Sequence, residues 1–174
     1  ASSPVSTMPA VSHRAHAGET GSMLLTIERV AIMKSVDIFA ATPDHILASV
    51  ARIVEEVDVA AGESLIREGE PGDCLYIVVE GELRAHSQGR TLMILTPGKI
   101  VGELALLDPE PRSASVDAVS DALLFRIDKE PFDEVMADRP EIALGVIRSL
   151  ARRIRQQGRV IAGIADPESS RGDR

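Results

Sequence analysis

Apolar residues return at different periods in different parts of the chain. From residue 23 to residue 52 the period is helical. Met23, Leu24, Ile27, Val30 and Ala31 recur three and four apart, which predicts one buried helix face. Thr42-Pro43-Asp44-His45 then reads as a second helix start, with Thr42 as N-cap, Pro43 at the first helical position and Asp44 and His45 in the first turn. Ile46, Val50 and Ile53 follow as its apolar face.

Residues 53–128 change to short alternating runs broken by glycine and proline. Val57 and Val59 alternate with charged residues, and Leu65-Ile66-Arg67 is a short strand. Glu70-Pro71-Gly72-Asp73 is a turn. The near-continuous apolar run Leu75 to Val79 predicts a strand buried on both faces, and Gly81 marks a bulge or close backbone approach beyond it. Leu83 and Ala85 continue, Ser87-Gln88-Gly89 reverses the chain, and Thr91 to Leu95 forms the partner strand. Pro97-Gly98 is the next turn, and Ser113–Ala118 and Ala122–Ile127 read as a last pair around Ser120-Asp121. About seven or eight strands at this turn spacing predict a closed sandwich or β-roll.

Helical spacing returns at Asp128, with Phe132, Val135 and Met136 on one side, until Arg139-Pro140 breaks it. Ile142, Val146, Ile147, Leu150 and Ile154 then mark a longer amphipathic helix. Its polar side carries Arg148, Arg152, Arg153, Arg155 and Arg159. Such a charge run is ordinarily a solvated face; a lid or a docking face for an acidic partner is the alternative use. The expected class is therefore α+β, mainly β: an eight-stranded β-roll or jelly roll flanked by N-terminal helices and a C-terminal helix pair. Residues 1–21 read as a flexible tail or linker, 22–159 as one domain and 160–174 as a second tail.

Composition narrows the function. Nineteen Lys and Arg against 27 Asp and Glu leave a formal charge of −8, which gives no net attraction to nucleic acid or anionic lipid. The only aromatics are Phe39, Tyr76, Phe125 and Phe132, too few for base-stacking platforms. Cys74 is the one cysteine, so an internal disulfide and a thiolate cluster are both excluded; it reads as a small packing residue suited to a reducing cytoplasm. His13, His16, His45 and His86 are scattered, and no metal site is expected. No apolar run is long enough to span a bilayer, nothing at the N-terminus reads as a signal peptide, and no P-loop or nucleophile elbow is present.

Candidate chemistry concentrates in residues 101–116. Gly102-Glu103 opens an apolar segment, Leu104 to Leu107, long enough for one helical turn. A helix N-terminus favours an anion. A Pro-flanked loop follows and ends in Arg112, whose guanidinium suits a phosphate. Glu103 is an acceptor for a sugar hydroxyl. A carboxylate and an arginine near one helix terminus fit a ligand that carries both hydroxyl and phosphate.

Gly102-Glu103-Leu104-Ala105-Leu106 through Pro111-Arg112-Ser113-Ala114 resembles the phosphate-binding cassette of cyclic nucleotide-binding domains, the family of the catabolite activator protein and of cyclic AMP-dependent protein kinase regulatory subunits. Upstream, Gly62-Glu63 and the run from Ile66 to Gly81 resemble that family's β-roll glycines and apolar strand. The resemblance spans roughly residues 24 to 158 and implies roles. Glu103 would accept from the ribose 2′-hydroxyl and Arg112 would pair with the cyclic phosphate. Gly102, Leu104 and Ala105 would contribute backbone, and Ser113 its N–H and hydroxyl. Ala85, Leu92 and Met93 would line the base side. The final helix, where Leu150-Ala151-Arg152-Arg153-Ile154 is similar to the start of the family's lid helix, would bring Arg153 and Gln157 to the base edge. No aromatic stands in that helix, so its lid would be aliphatic, Arg or Gln. Ser113 follows Arg112 where a Thr often accompanies cyclic GMP preference; this favours cAMP, with cGMP as the other ligand.

The resemblance thus implies a sensor rather than an enzyme, located in the cytoplasm or at the cytoplasmic face of a membrane. It would act on a fused or associated effector such as a transporter, channel or repeat protein. Direct nucleic-acid binding is not expected, because about 16 residues after the lid helix are too few for a helix-turn-helix module. The alternative is a β-roll that has lost nucleotide binding and serves as a protein-interaction module.

Overall fold

The structure is a computed structural model and describes residues 24–108 and 110–161. The chain opens with helices α1 (Thr26–Lys34) and α2 (Asp44–Ala51). Strands β1 (Glu55–Val59), β2 (Ser64–Ile66), β3 (Cys74–Glu80), β4 (Leu83–Ser87), β5 (Arg90–Leu95) and β6 (Ile100–Val101) follow. The short helix α3 (Glu103–Leu107) precedes β7 (Ser115–Ala118) and β8 (Ala122–Asp128), and α4 (Lys129–Asp138) and α5 (Pro140–Ile161) complete the described residues. α5 runs to Ile161; the tail expected over 1–21, and its counterpart from residue 162, lie outside the described residues. Among the described residues no helix is long and apolar enough to cross a membrane.

The strands form two four-stranded antiparallel sheets, ordered β1-β8-β3-β6 and β2-β7-β4-β5. β4 and β5 form the expected hairpin, its turn made by Gln88 at φ 49 and Gly89 at φ 77. The expected pairing of the last two strands is corrected: β7 pairs with β2 and β4, and β8 pairs with β1 and β3, so they lie in opposite sheets. The chain likewise changes sheets between β3 and β4, at Gly81. Its φ is +82, and a Cβ there would run into the Asp121 carbonyl and lie 2.8 Å from Ala122 Cα. Close backbone approach is the reason for glycine at this corner.

Two cores result. Leu83, Leu95, Val116 and Leu124 fill the roll between the sheets. Phe39, Leu47, Phe125, Ile127, Phe132, Ile142 and Val146 join the helices to the other face of the first sheet. Period-two alternation on β8 divides its side chains, Leu124 into the roll and Phe125 and Ile127 toward the helices. Phe39 and Phe132 meet edge to face, their centroids 6.3 Å apart.

Ile46 and Val50 of α2 and Phe132 of α4 are buried as expected, whereas α1 and α5 bury only part of the expected face. On α1, Ile27 is 76% exposed and Ala31 is also exposed; Met33 is buried instead. The reason is Arg29, which turns inward: its guanidinium donates to the carbonyls of Ala51 (3.2 Å) and Val54 (3.1 Å) and pairs with Glu56 at 3.0 Å. On α5, Ile142 and Val146 are buried, whereas Ile147 and Ile154 face outward; Gly145 and Ser149 complete the buried stripe. Thr42 is not the N-cap of α2. Pro43 holds that position and its carbonyl accepts from Ile46 N and Leu47 N at 3.0 and 2.9 Å. The Thr42 hydroxyl is buried against Gly145 and has no hydrogen-bond partner among the described residues; a Cβ at Gly145 would lie 2.7 Å from it.

Candidate functional site

The expected cassette begins where β6 ends. Gly102 has φ 83 and ψ 13, a left-handed turn that aims the chain into α3 and suits glycine. α3 is one turn, closed by Ala105 N to Gly102 O (3.1 Å) and Asp108 N to Leu104 O (2.7 Å). Ala105 and Leu106 are buried, Glu103 is half-buried and Leu104 is exposed. The loop that follows returns to the roll at Arg112, which is clipped to the turn before β3: Arg112 N donates to Glu70 O (2.9 Å) and Gly69 N to Arg112 O (2.8 Å).

The Arg112 side chain lies in a slot made by two glycines. A Cβ at Gly72 would run into Nε and lie 2.7 Å from Cζ and 2.9 Å from Ala105 Cβ. A Cβ at Gly102 would run into Nη1. Nη2 donates to the Cys74 carbonyl at 2.8 Å and to Cys74 Sγ at 3.3 Å, and Nη1 reaches Gly102 O at 3.5 Å. Among the described residues Arg112 forms no ion pair; its partners are carbonyls and a thiol. A half-buried guanidinium whose hydrogen-bond partners are neutral groups suits an anion site.

The structure therefore brings Gly102, Ala105 and Arg112 into contact and sets Glu103 and Leu104 on the same short helix. Ser113 follows Arg112 and is exposed. Ala85, on β4, is buried and stands opposite Met93 and Val116. Met93 and Leu92 are 52% and 60% exposed on β5, the last strand of its sheet. Leu92 falls where the register jumps from Ala85–Met93 to His86–Thr91. Arg153 and Gln157 fall within α5, and their side chains lie outside the described residues. Two residues at the cradle escaped the sequence reading. Gly72 reads there only as a turn glycine. Cys74 reads only as packing, because its contact with Arg112 spans 38 positions and leaves no local pattern.

Behind the slot, β3 and β8 place Cys74 opposite Asp128 and Tyr76 opposite Arg126 on the roll side. Arg126 pairs with Asp128 at 2.7 Å. Burial pushes the Cys74 thiol up from its usual 9.0, against the pull of Tyr76 and the two guanidiniums, so it is a neutral thiol near pH 7. Burial also pushes the Tyr76 phenol up. Donor atoms of Asp73, Cys74 and Asp128 lie within 4.8 Å of one another. As a cation site this trio is poor: Arg126 engages Asp128, Arg112 engages Cys74, and the thiol is protonated. Beside it an open cleft of about 720 Å³ is lined by Asp73, Arg126, Asp128, Lys129, Glu130 and Asp133, among others.

The profile of the cyclic nucleotide-binding domain matches residues 56–139. The CRP-like cAMP-activated global transcriptional regulator of Mycobacterium tuberculosis is 33% identical over 138 residues, which cover 76% of this chain and 62% of that protein. This chain thus corresponds to a part of that regulator. Among solved structures, the N-terminal domain of a transcriptional regulator from Streptomyces coelicolor matches with a TM-score of 0.68 at 30% identity, over 80% of this chain and 99% of that one. The regulatory domain of Toxoplasma gondii PKA, crystallised with cAMP, matches with a TM-score of 0.58 at 34% identity, over 63% of this chain and 43% of that one.

Proposed function

Because the chain belongs to the cyclic nucleotide-binding domain family, we propose that it is a sensor for a cyclic purine nucleotide, cAMP before cGMP. The observation that carries this reading is the Arg112 guanidinium, seated between Gly72 and Gly102 with no carboxylate partner among the described residues. In this reading Arg112 pairs with the cyclic phosphate, and Glu103 accepts from the ribose 2′-hydroxyl. Backbone of Gly102, Leu104, Ala105 and Ser113 surrounds the phosphate and sugar. Ala85, Leu92 and Met93 line the base, and α5 closes over it with Arg153 and Gln157 at the base edge. Support for cAMP comes from Ser113 after Arg112, and from the names of the two relatives that mention cAMP.

Binding acts by population shift: the nucleotide moves α5 only to the extent that it binds one arrangement of the helix more tightly. The output belongs to a fused or associated effector rather than to an active site of this domain. Calorimetric titration with cAMP and cGMP, with Arg112→Ala as control, tests the reading. Leaving a bound phosphate unpaired costs about 2–5 kcal/mol, which is on the order of 30- to 3,000-fold in affinity. Binding by the wild type that Arg112→Ala loses is the expected outcome, and the affinity ratio names the nucleotide. No binding by the folded wild type would favour the interaction-module reading.

A further inference from the structure

We propose that Lys129 is a positioning residue for the phosphate cradle, tying both of its walls to the C-terminal helices. The inference deepens the sensor reading and rests on it. Lys129 opens α4, and its backbone N–H donates to Asp73 O at 2.7 Å. Asp73 stands between Gly72, against which the Arg112 guanidinium lies, and Cys74, whose carbonyl and sulfur hold that guanidinium. The Lys129 ammonium donates to Leu106 O at 2.8 Å. Leu106 belongs to α3 and follows Ala105, the other neighbour of Gly72. One residue therefore bonds the turn before β3 and the cassette helix at once.

Chemistry explains why an ammonium stands there. The carbonyls of the last four residues of a helix have no acceptor role within it, and in a one-turn helix that describes nearly every carbonyl. A cation at this end satisfies one of them and complements the helix dipole. The same ammonium pairs with Asp133 of α4 at 2.9 Å, one turn on, so its position is fixed from the α4 side. Its side chain is 29% exposed, so solvent screens the contact only partly. Asp73, Arg126, Asp128 and Glu130 share the adjoining cleft, and the cation Arg126 is engaged by Asp128. Lys129 is thus the ammonium that links α3 to α4, and α4 continues through Arg139 into α5.

The experiment compares wild type, Lys129→Met and Lys129→Arg in cAMP titration and in amide hydrogen exchange of residues 129–138 with and without saturating cAMP. Lys129→Met keeps the backbone bond to Asp73 and the aliphatic stem but loses the ammonium. The expected result is affinity lowered about tenfold in Lys129→Met and restored to within about threefold in Lys129→Arg. Exchange in α4 slows on cAMP binding in the wild type but not in Lys129→Met. A purely structural lysine would shift the melting temperature without separating α4 protection from nucleotide binding. No binding by the wild type overturns the sensor reading and this proposal with it. Wild-type binding with equal affinity and equal α4 protection in Lys129→Met overturns the proposal alone. Should Lys129→Met fail to fold, the wild type decides: α4 exchange unchanged at saturating cAMP overturns it.

Discussion

Gly72 and Gly102 matter for the atoms they lack. Each leaves room for one part of the Arg112 guanidinium, and a methyl group at either position displaces it. Gly72→Ala is therefore expected to weaken cyclic nucleotide binding at least about tenfold, while a turn glycine with no such neighbour would leave affinity unchanged; titration of the variant beside wild type separates the two. Arg112 and Glu103 were readable in the sequence as candidates, from residue type and spacing. Gly72 was not, because its second role depends on a side chain 40 positions away. Cys74 makes a related point. Its burial and raised pKa predict slow alkylation by iodoacetamide at pH 8 and fast alkylation in urea, read by mass spectrometry. Equal rates would contradict the packing described for the thiol.

Elements tell a different story from residues, because period shows which segments are helical but not which face a neighbour covers. Arg29 illustrates this on α1. It stands four residues before the buried Met33 and so on the covered side, where it bonds two carbonyls and Glu56, and Ile27 is left outside. Arg29→Ala is expected to cost about 2–4 kcal/mol in urea unfolding, since it orphans these acceptors, whereas Ile27→Ala should cost less than about 0.5 kcal/mol. Thr42 shows the reverse case, a good capping residue whose hydroxyl caps nothing. Thr42→Val removes a buried unpaired hydroxyl and should stabilise by about 1 kcal/mol, a rise of about 2–4 °C in melting temperature.

Between β4 and β7 the link is acidic. Asp117 accepts from Arg84 at 3.2 Å and pairs with His86 at 2.8 Å. Burial is the largest single influence and raises its pKa, but the bonds from Arg84, His86 and Ser64 together outweigh it and leave the carboxyl below the usual 3.8. A lowered native pKa means that the folded state binds fewer protons. The stabilisation is complete above pH 3.8 and is lost as pH falls through the native value. Asp117→Asn should therefore lower the melting temperature at pH 6 and make less difference at pH 3, which calorimetry at the two values would show.

At the scale of the whole molecule, the roll with its flanking helices was readable from turn spacing and from the change between two and 3.6 residues per period. Which sheet each strand joins was not. Ser120-Asp121 looks like a hairpin turn because turn residues report a reversal of direction, and a corner between two packed sheets reverses direction as well. Only the two-sided burial of β3 hinted that its neighbours come from distant parts of the chain.

That sheet assignment has a consequence for how the protein is made. β8 is the strand between β1 and β3, pairing Glu55 with Arg126 and Cys74 with Asp128. Until residue 128 has left the ribosome, β1 and β3 stand without their shared neighbour, and at about 5–20 residues per second that wait lasts seconds. Arrested nascent chains should stay sensitive to protease while β8 is still inside the exit tunnel and become resistant once it has emerged. The domain's vulnerable interval thus lies in synthesis, while the apolar β3 waits beside β1 for the strand that joins them.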